Sequence, residues 1–188
     1  MADDDLNDFT VDFVDKGAQV RVNSSVLALA SPVFRAMLAS NMSEAASKRV
    51  ELKELGSPEG FLSFYMWLVP FGSAQQKLTL ETIDDVLVFA DYYEVGPLKE
   101  QCEQFLLTLE PSIKRLLQSE KHGLSKLRQK CVAHVSTSIQ EDLALLKSHP
   151  DLLLEVAQHL RARATSEALA RSSALSSASL SRTHLETK

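Results

Sequence analysis

The sequence predicts an α+β fold: a small, mostly three-stranded sheet flanked by about five or six helices, followed by an all-helical extension. Three observations predict it. Residues 9–13, 19–22 and 50–52 alternate apolar and polar side chains with the period of a half-buried strand. Elsewhere between residues 26 and 160 the apolar residues recur at helical spacing. Glycine and proline, six of each in 188 residues, are too scarce for an all-β chain of tight turns.

The elements follow in order. Phe9, Val11 and Phe13 face one side of a first strand, Asp15-Lys16-Gly17 supplies turn chemistry, and Val20 and Val22 mark the return strand of a hairpin. A short apolar helix covers residues 26–30. Ser31-Pro32 then starts another, with serine as N-cap and proline at the first helical position. Val33, Phe34, Met37 and Leu38 share a face of it. Val50-Glu51-Leu52 is a strand, and Ser57-Pro58 repeats the cap-and-proline device. Phe61, Phe64, Tyr65, Leu68 and Val69 line the next helix, which Pro70 and Gly72 end. Thr79 is expected to cap the following helix, with Leu78 stapled against Ile83 and a buried stripe of Ile83, Val86, Leu87 and Ala90. Gly96-Pro97 turns the chain into a helix lined by Leu98, Cys102, Phe105, Leu106 and Leu109, and Pro111 and Pro150 open later helices.

The chain divides by composition. Residues 1–7 are acidic and expected to be disordered, 8–109 form the α+β domain, and 110–163 form the helical extension. Residues 164–188, rich in serine and alanine, are expected to be disordered for want of apolar surface.

A shift of 29 residues aligns two segments. Residues 90–95 fall on 119–124, Leu98 on Leu127, Lys99 on Arg128 and Cys102 on Cys131. This reads as one helix–turn–helix unit used twice. The copies are expected to stack, the second extending the domain rather than founding another.

Several function classes are disfavoured. The net charge of −5 lacks the basic stripe that phosphate backbones require, so no nucleic-acid partner is expected. The longest apolar run, residues 61–71, is broken by Ser63 and Pro70 and too short to span a bilayer, so no membrane partner is expected. The acidic start lacks a signal peptide's basic and apolar regions. Two cysteines are too few for a disulfide framework and fit a reducing compartment. A soluble cytoplasmic or nuclear protein is therefore expected. The five histidines form no pattern with a nucleophile, and no phosphate-cradling glycine loop occurs, so neither catalysis nor a cofactor is expected. Cys131 and His134 lie three apart, but no second ligand pair follows at zinc spacing, and they read as structural. Asp84-Asp85 reads as a solvated helix face, and Trp67 as peripheral core or contact surface.

The run Val26-Leu27-Ala28-Leu29-Ala30-Ser31-Pro32-Val33-Phe34-Arg35-Ala36-Met37 resembles the BTB/POZ family core. So do Val50-Glu51-Leu52, Ser57-Pro58-Glu59-Gly60-Phe61, and Ala90-Asp91-Tyr92-Tyr93 with Leu98 and Cys102-Glu103-Gln104-Phe105-Leu106. The resemblance spans residues 8–109. Asn23 stands where the family usually has histidine, and Val69-Pro70-Phe71-Gly72 replaces a common Tyr-Thr-Gly. The resemblance implies a non-enzymatic interaction module that forms a homodimer. Val26, Leu27, Leu29 and Phe34 lie in the region that usually packs across the symmetry axis. It also implies recruitment of the cullin-3 N-terminal region for a ubiquitin ligase acting on an unknown substrate protein. Met42-Ser43-Glu44 sits where such recruiters carry a hydrophobic-x-Glu motif, with Tyr93 as a further contact. Residues 111–135 resemble the helical pair that completes the docking groove, the start of a 3-box or BACK region. A dimerising scaffold with no ligase role is the alternative.

Overall fold

The computed structural model describes residues 6–40, 43–69, 77–137 and 143–183, with side chains as far as residue 171. They fall into two compact units, Met1–Thr108 and Leu109–Lys188. The second copy of the 29-residue echo lies in the second unit.

In the first unit, β1 (Phe9–Phe13) and β2 (Ala18–Val22) form the expected antiparallel hairpin, with Val11 opposite Val20. The strand β3 (Arg49–Leu52) pairs with β1 in parallel, so the sheet order is β2-β1-β3. The alternation seen in the sequence is the two faces of this sheet. Val11, Phe13, Val20, Val22, Val50 and Leu52 are buried, while Gln19, Arg21, Arg49 and Glu51 are exposed. Helices α1 (Ser24–Ala30), α2 (Pro32–Ala39), α3 (Ser43–Ser47), α4 (Pro58–Leu68), α5 (Ile83–Tyr92) and α6 (Gly96–Thr108) complete the unit. Residues 70–72, read from the sequence as the end of α4, lie outside the described residues.

Both Ser-Pro starts work as the sequence predicts. The Ser31 hydroxyl accepts the Phe34 N–H at 3.1 Å, and the Ser57 hydroxyl accepts the Gly60 N–H at 2.9 Å. Each hydroxyl then donates its own proton to α5. Ser31 Oγ donates to the Tyr93 carbonyl at 2.6 Å, at the helix C-terminus, and Ser57 Oγ donates to Asp85 Oδ2 at 2.7 Å, in its first turn. A helix leaves carbonyls unpaired at one end and attracts negative charge at the other, so both bonds meet a need of α5. Asp85 is therefore a structural acceptor and not the merely solvated carboxylate expected. Gly60 permits the second clamp, because a Cβ there would lie 2.5 Å from Asp85 Cβ.

Two further starts depart from expectation or replace a usual residue. Helix α5 begins at Ile83 rather than at a Thr79 cap. The Thr79 carbonyl accepts both the Thr82 and the Ile83 N–H, forming a turn ahead of the helix. Asn23 caps α1, its side chain accepting from the Ser25 and Val26 N–H groups. The Asp8 carboxylate accepts the Ser24 N–H and hydroxyl and pairs with Lys48, each at 2.9 Å. The Ser24 backbone bond is the chief cause that holds its pKa down to about 2.

The echo is reproduced bond for bond. The Val95 N–H reaches the Ala90 carbonyl at 2.8 Å and the Glu94 N–H that of Asp91 at 3.1 Å. Twenty-nine residues later, Leu124 reaches Ser119 at 2.8 Å and Gly123 reaches Glu120 at 3.2 Å. Each is a Schellman closure, whose C′ residue takes a left-handed conformation. Gly123 adopts φ +62°, while Glu94 is held at φ +54° despite its Cβ.

The second unit comprises α7 (Ile113–Lys121), α8 (Ser125–Val135), a 3-10 turn (Leu143–Leu146) and α9 (Pro150–Thr183). Its core is drawn from Leu116, Leu127, Cys131, Val132, Leu146, Leu152 and Val156. Arg128 pairs with Glu155 at 2.7 Å, His149 Nδ1 meets Glu120 Oε2 at 2.7 Å, and His159 Nδ1 meets Ser136 Oγ at 3.0 Å. The tail expected to be disordered from residue 164 is instead helical to Thr183. Its side chains from 157 to 171 are all exposed, so packing is not the reason. Once Leu152 and Val156 anchor a nucleus, each added residue needs only one further hydrogen bond, and Ala, Leu, Arg and Glu are strong helix formers.

Ser31→Ala should lower the unfolding free energy by about 2 kcal/mol in urea denaturation, since it removes a cap and leaves a buried carbonyl unpaired. Glu94→Gly should raise stability by about 1 kcal/mol, and Gly123→Ala should lower it by a similar amount. No atom lies within 4 Å of a Cβ at Gly123, so thermal unfolding of that variant reads backbone strain alone.

Candidate protein-docking surfaces

The core decides which of the expected site residues remain available. Phe9 meets Phe34 edge-on at 6.2 Å, and Phe13 meets Phe61 at 6.1 Å and Phe89 at 6.4 Å in the same manner. Tyr93 closes this cluster, stacked on Phe34 with centroids 4.0 Å apart and on Phe64 at 6.0 Å. Its hydroxyl is buried with no hydrogen-bond partner among the described residues. Burial, with a smaller effect of Tyr92, pushes the phenol above its ordinary pKa range. Tyr93 is thus a core residue, out of reach of a partner; its neighbour Tyr92 is 57% exposed. The stripe Ile83, Val86, Leu87 and Ala90, continued by one turn, already leads to Tyr93.

The four dimer-interface candidates divide in the same way. Leu27 and Phe34 are fully buried within the single chain and offer a second copy no surface. Val26 is half-buried, and Leu29 is 77% exposed on α1. Arg35 fixes this end of α1, its guanidinium donating to the Ala28 carbonyl at 3.0 Å and to that of Leu29 at 3.2 Å.

Met42 lies outside the described residues. Ser43 is exposed and Glu44 half-buried in α3, a short helix that sequence periodicity did not reveal. Ser43 Oγ donates to Glu44 Oε2 at 3.1 Å, and Ser47 Oγ donates to the Ser43 carbonyl at 2.6 Å. With Arg49 and Glu51 these residues line a polar groove of about 570 Å³ between α3 and β3. Such a groove offers hydrogen-bonding groups to a polypeptide. In the second unit a groove of about 520 Å³ runs between α8 and α9, lined by Gln129, Val132, Glu155, Gln158, His159 and Ala162.

Cys102 and Cys131 are buried and not joined in a disulfide, and burial pushes the Cys102 thiol up to about 12, away from the range of a reactive thiolate. Among the described residues no three His, Cys, Asp or Glu side chains gather as a metal site would require, and no helix is long and apolar enough to cross a membrane.

Comparison with known proteins places residues 1–110 in the BTB/POZ domain model. BTB and MATH domain-containing protein 38 of Caenorhabditis elegans is 31% identical over 116 residues, which are 61% of this chain and 29% of that protein. TD and POZ domain-containing protein 1 of Mus musculus is 29% identical over 153 residues, 77% of this chain and 41% of that protein. An Arabidopsis thaliana BTB/POZ domain-containing protein is 29% identical over 146 residues, 73% of this chain and 58% of that protein. The chain therefore spans well under two thirds of the length of these relatives. Among solved structures, the BTB domain of human Gigaxonin matches 54% of this chain and 79% of its own at a TM-score of 0.44 and 26% identity.

Tyr93→Phe removes only the unpaired hydroxyl. Urea denaturation should find stability unchanged or raised by up to about 1 kcal/mol. A loss of more than about 2 kcal/mol would mean that the hydroxyl has a partner after all.

Proposed function

The chain belongs to the BTB/POZ domain family, and from that premise we propose that it is a dimerising adaptor that recruits the N-terminal region of cullin-3 to a substrate protein. The observation that carries the reading is the surface left beside the core. Leu29 is exposed on α1, and Ser43 and Glu44 edge a polar groove at the position of the family's hydrophobic-x-Glu motif. Met42 supplies the hydrophobic member of that motif. A methionine adapts its shape to an apolar recess, and a carboxylate nearby sets polarity. The α1 surface and the groove are built from different elements, so self-association through Leu29 leaves the groove free for partner docking. The groove between α8 and α9 is a second polypeptide site available to a substrate or to a protein that carries one.

Sedimentation at micromolar concentration should give a dimer, and natively folded Leu29→Asp should sediment at lower mass than the wild type. Calorimetry with the cullin-3 N-terminal region should show binding. Met42→Ala with Glu44→Ala should weaken it by about 2 kcal/mol or more, roughly thirtyfold. Self-association without any cullin binding would identify a scaffold with no ligase role. Unchanged binding by the double variant would remove this site.

A further inference from the structure

We propose that the outer edge of β3 is a self-association site, on which β3 of a second copy of this chain adds antiparallel about a two-fold axis at Val50. Thr10 donates to the Lys48 carbonyl at 2.9 Å and Val14 to the Leu52 carbonyl at 3.2 Å, with Thr10 opposite Arg49 and Asp12 opposite Glu51. In a parallel ladder of that phase, the main-chain groups of Val50 and Leu52 point at β1, and those of Arg49 and Glu51 point away. No strand lies beyond β3 in the sheet, and among the described residues no group outside the sheet bonds the main chain of Arg49 or Glu51. The groove lined by Ser43, Glu44, Ser47, Arg49 and Glu51 lies along this strand.

An unpaired edge is a template for another strand, and proteins commonly blunt it with charge. Here the charges select the occupant instead. Arg49 and Glu51 are two residues apart, on one face, and of opposite sign. Antiparallel pairing centred on Val50 sets Arg49 against Glu51 of the second copy, and Glu51 against its Arg49. Those are the two positions whose main-chain groups face outward, so both become hydrogen-bonded pairs. The patch is self-complementary, as a two-fold interface must be. Glu51 is exposed. Arg49 pairs with Asp12 and keeps guanidinium donors to spare, at 43% side-chain exposure.

Two measurements on the full chain test this. Glu51→Pro removes one outward N–H and leaves the ladder to β1 intact, as proline at an edge strand permits. The wild-type mass from sedimentation should rise with concentration beyond the value that Glu51→Pro reaches. An equal mixture of Arg49→Cys and Glu51→Cys chains should cross-link under oxidised glutathione, and neither alone should. Residues paired in this way have Cα atoms about 5.5 Å apart, within disulfide reach. The native cysteines are buried and do not compete. Identical sedimentation of wild type and natively folded Glu51→Pro would overturn the proposal. So would cross-linking of either cysteine variant alone as strong as that of the mixture. If Glu51→Pro does not fold, the cysteine pair decides. Leu29→Asp acts on α1 and not on this edge, so the two self-association readings fail separately.

Discussion

Two serine hydroxyls hold α5 in place, and the rest of the first unit is arranged around that helix. Ser31 and Ser57 each serve twice, as acceptor for the first turn of their own helix and as donor to one end of α5. A hydroxyl has just these capacities, one proton and lone pairs to accept with. Because Ser31 is fully buried, loss of either bond there would strand a polar group away from water. The clamps set the position at which Phe89 of α5 and Tyr93 at its C-terminus enter the aromatic cluster. Close approach at Gly60 and the cap-and-proline starts of α2 and α4 are requirements of the same arrangement.

This core leaves several surfaces on its outside. Leu29, the α3–β3 groove and the β3 edge are surfaces, and the buried thiol and phenol are held in their neutral forms. The interaction role proposed for the molecule rests on the family match and on these exposed surfaces. The chain spans less than two thirds of the length of the relatives it matches, so the partners named for it here belong to the proposal.

Local chemistry was legible in the sequence; chemistry completed at long range was not. The strands, the Ser-Pro starts and the repeat of one helix pair follow from periods and caps that lie within a few residues of one another. The second bond of each capping serine spans 62 residues for Ser31 and 28 for Ser57, and no local pattern announces it. For that reason Asp85 read as a solvated carboxylate. Tyr93 was assigned to a partner by resemblance, although the phase of its own helix pointed inward. Leu27 and Phe34 share that history, their places in a symmetric family interface hiding their places in the core of one chain. Glu94 in a left-handed conformation contradicts residue preference and becomes visible only because Gly123 fills the same position of the echo. The helical run beyond residue 164 was missed because composition reports what can pack, whereas a helix already nucleated needs no packing to continue.

Clamped at both ends, α5 opens only when the whole first unit unfolds. Native-state hydrogen exchange of its backbone amides tests that directly. The Leu87, Ala90 and Tyr93 amides should exchange with the same free energy as those of β1 and with the same denaturant dependence. Exchange of the α5 amides through an opening several kcal/mol below global unfolding, with β1 still protected, would contradict it.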